Sequence, residues 1–131
     1  METIQVSTQS KQGFHDITSR VQDVVGHEGA EDGVCLVFCP HTTAGVTLNE
    51  NWDASVQHDI GVGLNRISPS RPEYRHGEGN SPAHLKSSLV GASQMVPIEG
   101  GELVLGRWQG IYLCEFDGPR TRKVHVQVMA G

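Results

Sequence analysis

The sequence predicts an α+β fold. It is β-rich, with a largely antiparallel sheet or sandwich and one or two helices in its first half. Three observations lead there. Sixteen glycines among 131 residues allow many tight turns. Short alternating apolar runs recur from one end of the chain to the other. Helical spacing of apolar residues is clearest in the first half.

The elements follow in order. Thr3 to Thr8 alternates, with Ile4 and Val6 on one face, and reads as a strand. Gln12-Gly13 is a turn, and Phe14 to Thr18 a second short strand. Thr18 or Ser19 caps a helix carrying Val21, Val24 and Val25, which ends between Gly26 and Gly29. Gly33 to Cys39 is almost continuously apolar and reads as a strand covered on both faces, stopped by Pro40. Val46 to Glu50 is a further strand. Val56, Ile60 and Leu64 recur at helical spacing behind a capping Asp53. Ser68 to Ala83, rich in Pro, Gly, Arg, Glu and Asn, reads as a long loop of the kind that carries function. A meander closes the chain. Its strands are Met95 to Ile98, held to an edge by Pro97, then Leu103 to Leu105, Ile111 to Phe116, and Val124 to Val128.

Length and composition exclude whole classes. At 131 residues the chain is one domain, spanning 1–131, and needs no disulfide staples. Fifteen acids against ten bases give a net charge of −5, which argues against non-specific nucleic-acid binding. The longest apolar run, Val34 to Cys39, is far short of the roughly 20 residues a membrane span needs. Met1 to Gln5 has no signal-peptide architecture. Cys35, Cys39 and Cys114 form no Cys-x-x-Cys pair and lie in or beside apolar runs, so they are expected as buried reduced thiols in a cytoplasmic protein.

Seven histidines are many for a domain of this size. His15, His27, His58 and His125 fall on polar or solvent-facing positions. His41 follows the end of the apolar strand, His76 lies in the long loop, and His84 stands where order resumes. A strand end is a rigid platform over which a loop can fold. Three imidazoles brought together there, with a fourth position left to water, would suit a catalytic divalent metal, zinc above all. Glu50 or Asp59 is available as a general base. Anion-binding groups surround the same segments. Thr42 and Thr43 offer hydroxyls, while Lys86, Ser87 and Ser88 are placed to open a helix whose N-terminus favours phosphate. Arg120 and Arg122 can grip phosphate in bidentate fashion. Trp108 offers a stacking surface for a ring or a packing residue at a strand junction.

Five motifs stand in register along the chain. They are His41-Thr42-Thr43-Ala44-Gly45, Asn49-Glu50, Asn80 through Ser88, Gly106-Arg107-Trp108-Gln109, and Phe116 through Arg120. Together they resemble the YjbQ family of secondary thiamine-phosphate synthase enzymes, over nearly the whole chain. The family's usual Gly-Thr-Trp-Gln is here Gly-Arg-Trp-Gln. The resemblance implies a β-rich α+β homotrimer with a site around His41, Asp59, His76, Asn80 and His84. It also implies formation of thiamine phosphate from a pyrimidine pyrophosphate and a thiazole phosphate. In that chemistry a metal on the three histidines, with Lys86 and Arg120, would hold phosphate, and Asn80 would orient substrate or a histidine. The chain is too short to be a (β/α)₈ barrel. Two other functions suit the same residues: a metal-dependent hydrolase of a small phosphate ester, and a non-enzymatic trimer that binds metal or a phosphorylated metabolite.

Overall fold

A computed structural model describes all residues, Met1–Gly131. In chain order the elements are β1 (Glu2–Ser7), β2 (Gly13–Asp16), α1 (Thr18–Glu28), β3 (Gly33–Phe38), β4 (Ala44–Glu50), α2 (Ser55–Ile67), α3 (Ser81–Val90), β5 (Ser93–Glu99), β6 (Glu102–Leu103), β7 (Gln109–Glu115) and β8 (Thr121–Ala130). The strands form two antiparallel sheets, ordered β1-β8-β3-β5-β6 and β2-β7-β4. The predicted α+β, β-rich class is the observed one. No helix is long and apolar enough to cross a membrane.

Side-chain alternation builds the main core. Ile4 and Val6 of β1, Cys35 and Val37 of β3, Val96 and Ile98 of β5, and Val124 and Val126 of β8 point inward from the larger sheet. They meet Ile111 and Leu113 of β7, Ala44 and Val46 of β4, and the Val21, Val24, Val25 face of α1. A second, smaller core lies on the other face of β7. There Tyr112, Cys114 and Phe116 pack with Ala83 and the partly buried Phe14, Leu64 and Val90.

The strand covered on both faces is therefore β7, buried from Gly110 through Glu115, and not β3 as its apolar run predicts. Only Cys35 and Val37 of β3 are fully buried, whereas Phe38 is 41% exposed. The outward residues of that strand, with Met95 of β5 and Met129 of β8, make an open apolar face. Pro97 sits in β5, whose outer neighbour β6 has only two residues, so its missing N–H costs little.

The helices are held by local chemistry. Asp16, rather than Thr18 or Ser19, closes the first turn of α1: its Oδ1 accepts from the Thr18 amide at 2.9 Å and the Thr18 hydroxyl at 2.6 Å. That hydroxyl in turn accepts the Ile111 N–H at 2.8 Å and ties the helix to β7. Gly29, at φ 68°, ends α1 in the left-handed conformation. Asp53 Oδ1 accepts the Ser55 N–H at the start of α2. The stripe Val56, Ile60, Leu64 is only half-buried, and Gly61 is the one fully buried residue of α2.

A third helix, α3, corrects the reading of the long loop. It begins at Ser81 with Pro82 in its first turn, where a missing N–H is harmless. The three cysteines are free and buried. Burial pushes the Cys35 thiol up to about 11 and the Cys114 thiol up to about 12. We predict negligible reaction of the native protein with a thiol reagent at pH 8 and three equivalents after denaturation; rapid native labelling would contradict the burial.

Candidate functional site

The position of α3 sets the site. Its Ala83, Lys86 and Ser87 face inward, and its end docks on β4 through two hydrogen bonds and on the end of β3 through a third. Ser87 Oγ donates to the Ala44 carbonyl at 2.7 Å, the Val46 N–H donates to the Gly91 carbonyl at 3.1 Å, and the Cys39 N–H donates to the Ala92 carbonyl at 2.7 Å. Gly45 permits the approach, since a Cβ there would stand 2.7 Å from the Gly91 oxygen. Gly45→Ala is expected to cost about 1–3 kcal/mol by overpacking and to shift α3. A denaturation midpoint equal to that of the unaltered chain would show that the contact is slack.

This docking sets His84 over the loop that follows β3. His41, Thr42, His84, Ser87, Ser88 and Gly91 line a cleft of about 480 Å³. His84 also borders an adjoining hollow of about 310 Å³ with Tyr74, Ser81, Leu85 and Ser88. The long loop brings His76 edge-on to His84, with ring centroids 5.2 Å apart, and Glu78 stands 3.8 Å from the His76 ring nitrogen. His84 thus shares one cleft with His41 and packs edge-on against His76.

His41 has a defined chemical state. Burial, then the Arg122 charge, lowers its pKa below the ordinary 6.5, so the ring is neutral at pH 7. Its Nε2 accepts the Lys123 N–H at 2.9 Å. The neutral ring therefore carries its proton on Nδ1, which is left as a donor. The charge of Arg120 also contributes to lowering the His41 pKa. Asp117 holds that arginine: Arg120 Nη2 donates to its Oδ2 at 3.1 Å, and Nε to its carbonyl at 3.0 Å. Asn80, just before α3, donates from Nδ2 to the same Asp117 Oδ2 at 2.8 Å, while its own Oδ1 is buried without a partner. Asn80 thus links the start of α3 to Arg120.

Most of the other predicted site residues lie elsewhere, although Ser87 borders the cleft. Thr43 is buried, and its Oγ1 accepts from Arg122 at 2.8 Å. Arg122 is itself 2% exposed and paired with Glu115, so neither grips a ligand. Lys86 and Ser87 do not open a helix; they sit in the second half of α3, on its buried face, because the helix starts five residues earlier than Lys86. Lys86 points away from the histidines to Gln12 and Asn65. Asp59 is an exposed residue of α2, 3.1 Å from the His58 ring. Glu50 ends β4, where its carbonyl accepts from Gln57 and from the Tyr112 hydroxyl. Trp108 is 45% exposed and packs edge-to-face on Trp52, with Arg107 over its ring. Glu50 and Trp108 lie at the opposite end of the β4–β7 pair from His41, roughly 20 Å away at strand rise.

No three His, Cys, Asp or Glu side chains converge closely enough to hold a metal ion. The single chain offers two adjacent imidazoles, His76 and His84, and a His41 whose Nε2 is already engaged. These residues do not fit the three-histidine zinc centre the sequence suggested. Lys123, Asp117 and Tyr74 were missed in the sequence. Lys123 contributes a main-chain group that no residue type reveals. Asp117 had a signal, since it shares the Asp-Gly-Pro-Arg turn with Arg120.

The fold and site define a class: a small two-sheet α+β protein whose polar, histidine-lined cleft lies between a strand end and a docked helix. Comparison gives the family. The model described as "UPF0047 protein YjbQ-like" matches residues 2–131, and the chain belongs to that family. The UPF0047 protein YugU of Bacillus subtilis is 48% identical over 130 residues, covering 98% of each chain. A UPF0047 protein of Methanocaldococcus jannaschii is 45% identical over 125 residues, covering 95% of this chain and 91% of the other. A crystal structure from Clostridium acetobutylicum, of the yjbq/upf0047 family, superposes with a TM-score of 0.96 at 50% identity, over 98% of this chain and 100% of that one.

Proposed function

We propose that the chain is an enzyme acting on phosphorylated small molecules at the His41–His84 cleft. In this reading it is a thiamine-phosphate synthase-type transferase that joins a pyrimidine pyrophosphate to a thiazole phosphate. The observation that carries the proposal is the cleft itself. Two distant segments supply His41 and His84 to it, the Thr42 and Ser88 hydroxyls line it, His76 packs edge-on against His84, and Arg120 is close enough to affect His41.

The chemistry asks for little else. The methylene carbon of the pyrimidine loses pyrophosphate as its C–O bond breaks, and the thiazole nitrogen forms the new C–N bond. Negative charge grows on the departing oxygen, so the site must supply fixed donors there. A neutral His41 offers Nδ1–H, the two hydroxyls offer O–H, and Arg120 offers a guanidinium held by Asp117. Tyr74 and Leu85 give the adjoining hollow surfaces suited to a flat ring. Metal analysis of protein purified without a histidine tag decides whether an ion completes the site.

The test supplies the purified protein with both precursors and follows thiamine phosphate and pyrophosphate by chromatography. Product formation supports the transferase. Absence of product, with phosphate released from simple esters, would replace it with the hydrolase. Ligand binding with no turnover would replace both with a metabolite-binding protein. The same proposal includes a homotrimer. The outward Val34, Leu36, Phe38, Met95 and Met129 give a second copy an apolar face to cover. Analytical ultracentrifugation tests it, and a monomer at micromolar concentration would exclude it.

A further inference from the structure

Lys86 is the one strongly buried cation whose hydrogen-bonding partners carry no charge. It is 7% exposed, yet its Nζ donates only to two neutral amide oxygens, Gln12 Oε1 at 2.7 Å and Asn65 Oδ1 at 2.5 Å. None of the ion pairs in the structure includes it. Its other close neighbour is the Phe116 ring, 6.0 Å from Nζ, and nearby Lys11 adds positive charge. Buried charges are ordinarily paired, because desolvation costs several kcal/mol per ion. The other buried cation, Arg122, has its carboxylate in Glu115.

The two amides lead outward. Gln12 and Asn65 line a cleft of about 380 Å³ between β2 and α2, together with Phe14, Gln57, His58 and Gly61. With both amide oxygens turned to the ammonium, their NH₂ groups are directed away from it and become donors. Gln12 Nε2 makes only a long contact, 3.4 Å, to the Gly61 carbonyl, and Asn65 Nδ2 makes no hydrogen bond within the protein. Gly61 keeps this wall open, since a Cβ there would stand 3.1 Å from Gln12 Nε2. The cleft thus pairs polarised amide donors and an uncompensated positive charge with the flat apolar surface of Phe14. Lys86 is two residues from His84, about 200° around the helix, so this cleft lies on the other side of α3 from the histidines.

We propose that the β2–α2 cleft is a second binding site, for the phosphate group of a small molecule. Lys86 supplies the charge and the Gln12 and Asn65 amides make the contacts. The site is independent of the chemistry assigned to His41 and His84.

Titration of the full-length protein with inorganic pyrophosphate tests this, read by the side-chain amide resonances of Gln12 and Asn65. Saturable shifts are expected in the unaltered chain and in His84→Ala. Asn65→Asp is isosteric and gives Lys86 its missing carboxylate, so affinity should fall at least tenfold while the fold is kept. Lys86→Met, which removes the charge, should show the same loss. The proposal is overturned by shifts that chloride at equal ionic strength reproduces, by unchanged affinity in Asn65→Asp and Lys86→Met, or by absence of saturable shifts in the unaltered chain. It is equally overturned if His84→Ala alone abolishes binding, which would move the phosphate to the histidine cleft.

Discussion

Arg122→Met is expected to destabilise the protein by about 3–5 kcal/mol, the cost of leaving one member of a buried ion pair without its partner. For a chain of this length that lowers Tm by about 10–20 °C. Glu115 is 0% exposed and its two oxygens take four donors. Arg122 Nε and the Thr8 hydroxyl donate to Oε2 at 2.8 and 2.9 Å. Arg122 Nη2 and the Asp117 N–H donate to Oε1 at 2.5 and 2.9 Å. Arg122 Nη2 also reaches the Thr43 carbonyl at 3.1 Å. With methionine at 122, the carboxylate stays buried without its countercharge. Paired with Glu115→Leu, the same change should cost less than the sum of the two single variants, because no lone charge remains. Chemical denaturation of the four proteins completes the cycle, and strict additivity would show that the two residues do not act as a pair.

The same groups set the acid limit of stability. Burial pushes the Glu115 carboxyl up, but hydrogen bonds from Arg122, the Asp117 amide and Thr8 outweigh it, and its pKa lies below the ordinary 4.5. A depressed carboxyl contributes stability above its unfolded pKa and loses it as pH falls through the folded one. His41 acts in the same direction. Its folded pKa lies below 6.5, so the unfolded chain takes up the proton first. Stability should therefore decline from about pH 6.5 downward and steeply below about pH 4.5. In Glu115→Leu/Arg122→Met the lower limb should flatten, and a profile unchanged by that double variant would place the acid transition elsewhere.

His84→Ala is expected to reduce kcat/KM of the proposed transfer by about 10²–10³, the range for removing one polar group from a site that stabilises growing negative charge. His84 borders both hollows and packs edge-on against His76, so its loss opens the whole cleft. Asp59→Asn and Glu50→Gln should stay within a few-fold of the unaltered protein, since neither borders that cleft in one chain. Large losses in Asp59→Asn or Glu50→Gln would mean that a neighbouring copy brings those carboxylates to the histidines.

Much of the fold could be read from alternation. Ile4 and Val6 of β1, and Val124, Val126 and Val128 of β8, give their strands and inward faces directly. The same parity held an unused signal: Glu115 follows Ile111 and Leu113 at steps of two, and Arg122 precedes Val124 and Val126 likewise. Two charged residues in apolar phase on neighbouring elements announce a buried pair. The start of α3 was less legible because Gly77, Gly79 and Pro82 flank it, yet Pro82 belongs to the first turn. The double cover of β7 depends on α2 and α3 packing behind it, which no local pattern encodes. For the site, the strand end and the loop's return to order pointed to His41 and His84, which share one cleft. Lys86 and Thr43 were not legible as packing residues: the docking of α3 turns Lys86 to Gln12, and the buried Arg122 takes the Thr43 hydroxyl.

Both tryptophans of the chain, Trp52 and Trp108, stand together at the end of the β4–β7 pair remote from His41. Intrinsic fluorescence of this protein is therefore a local signal. Emission from such water-exposed indoles should be red-shifted even in the native state and should respond little to ligands among the histidines. A ligand that quenches it would be reporting contact with the indole pair, or with whatever molecule covers them.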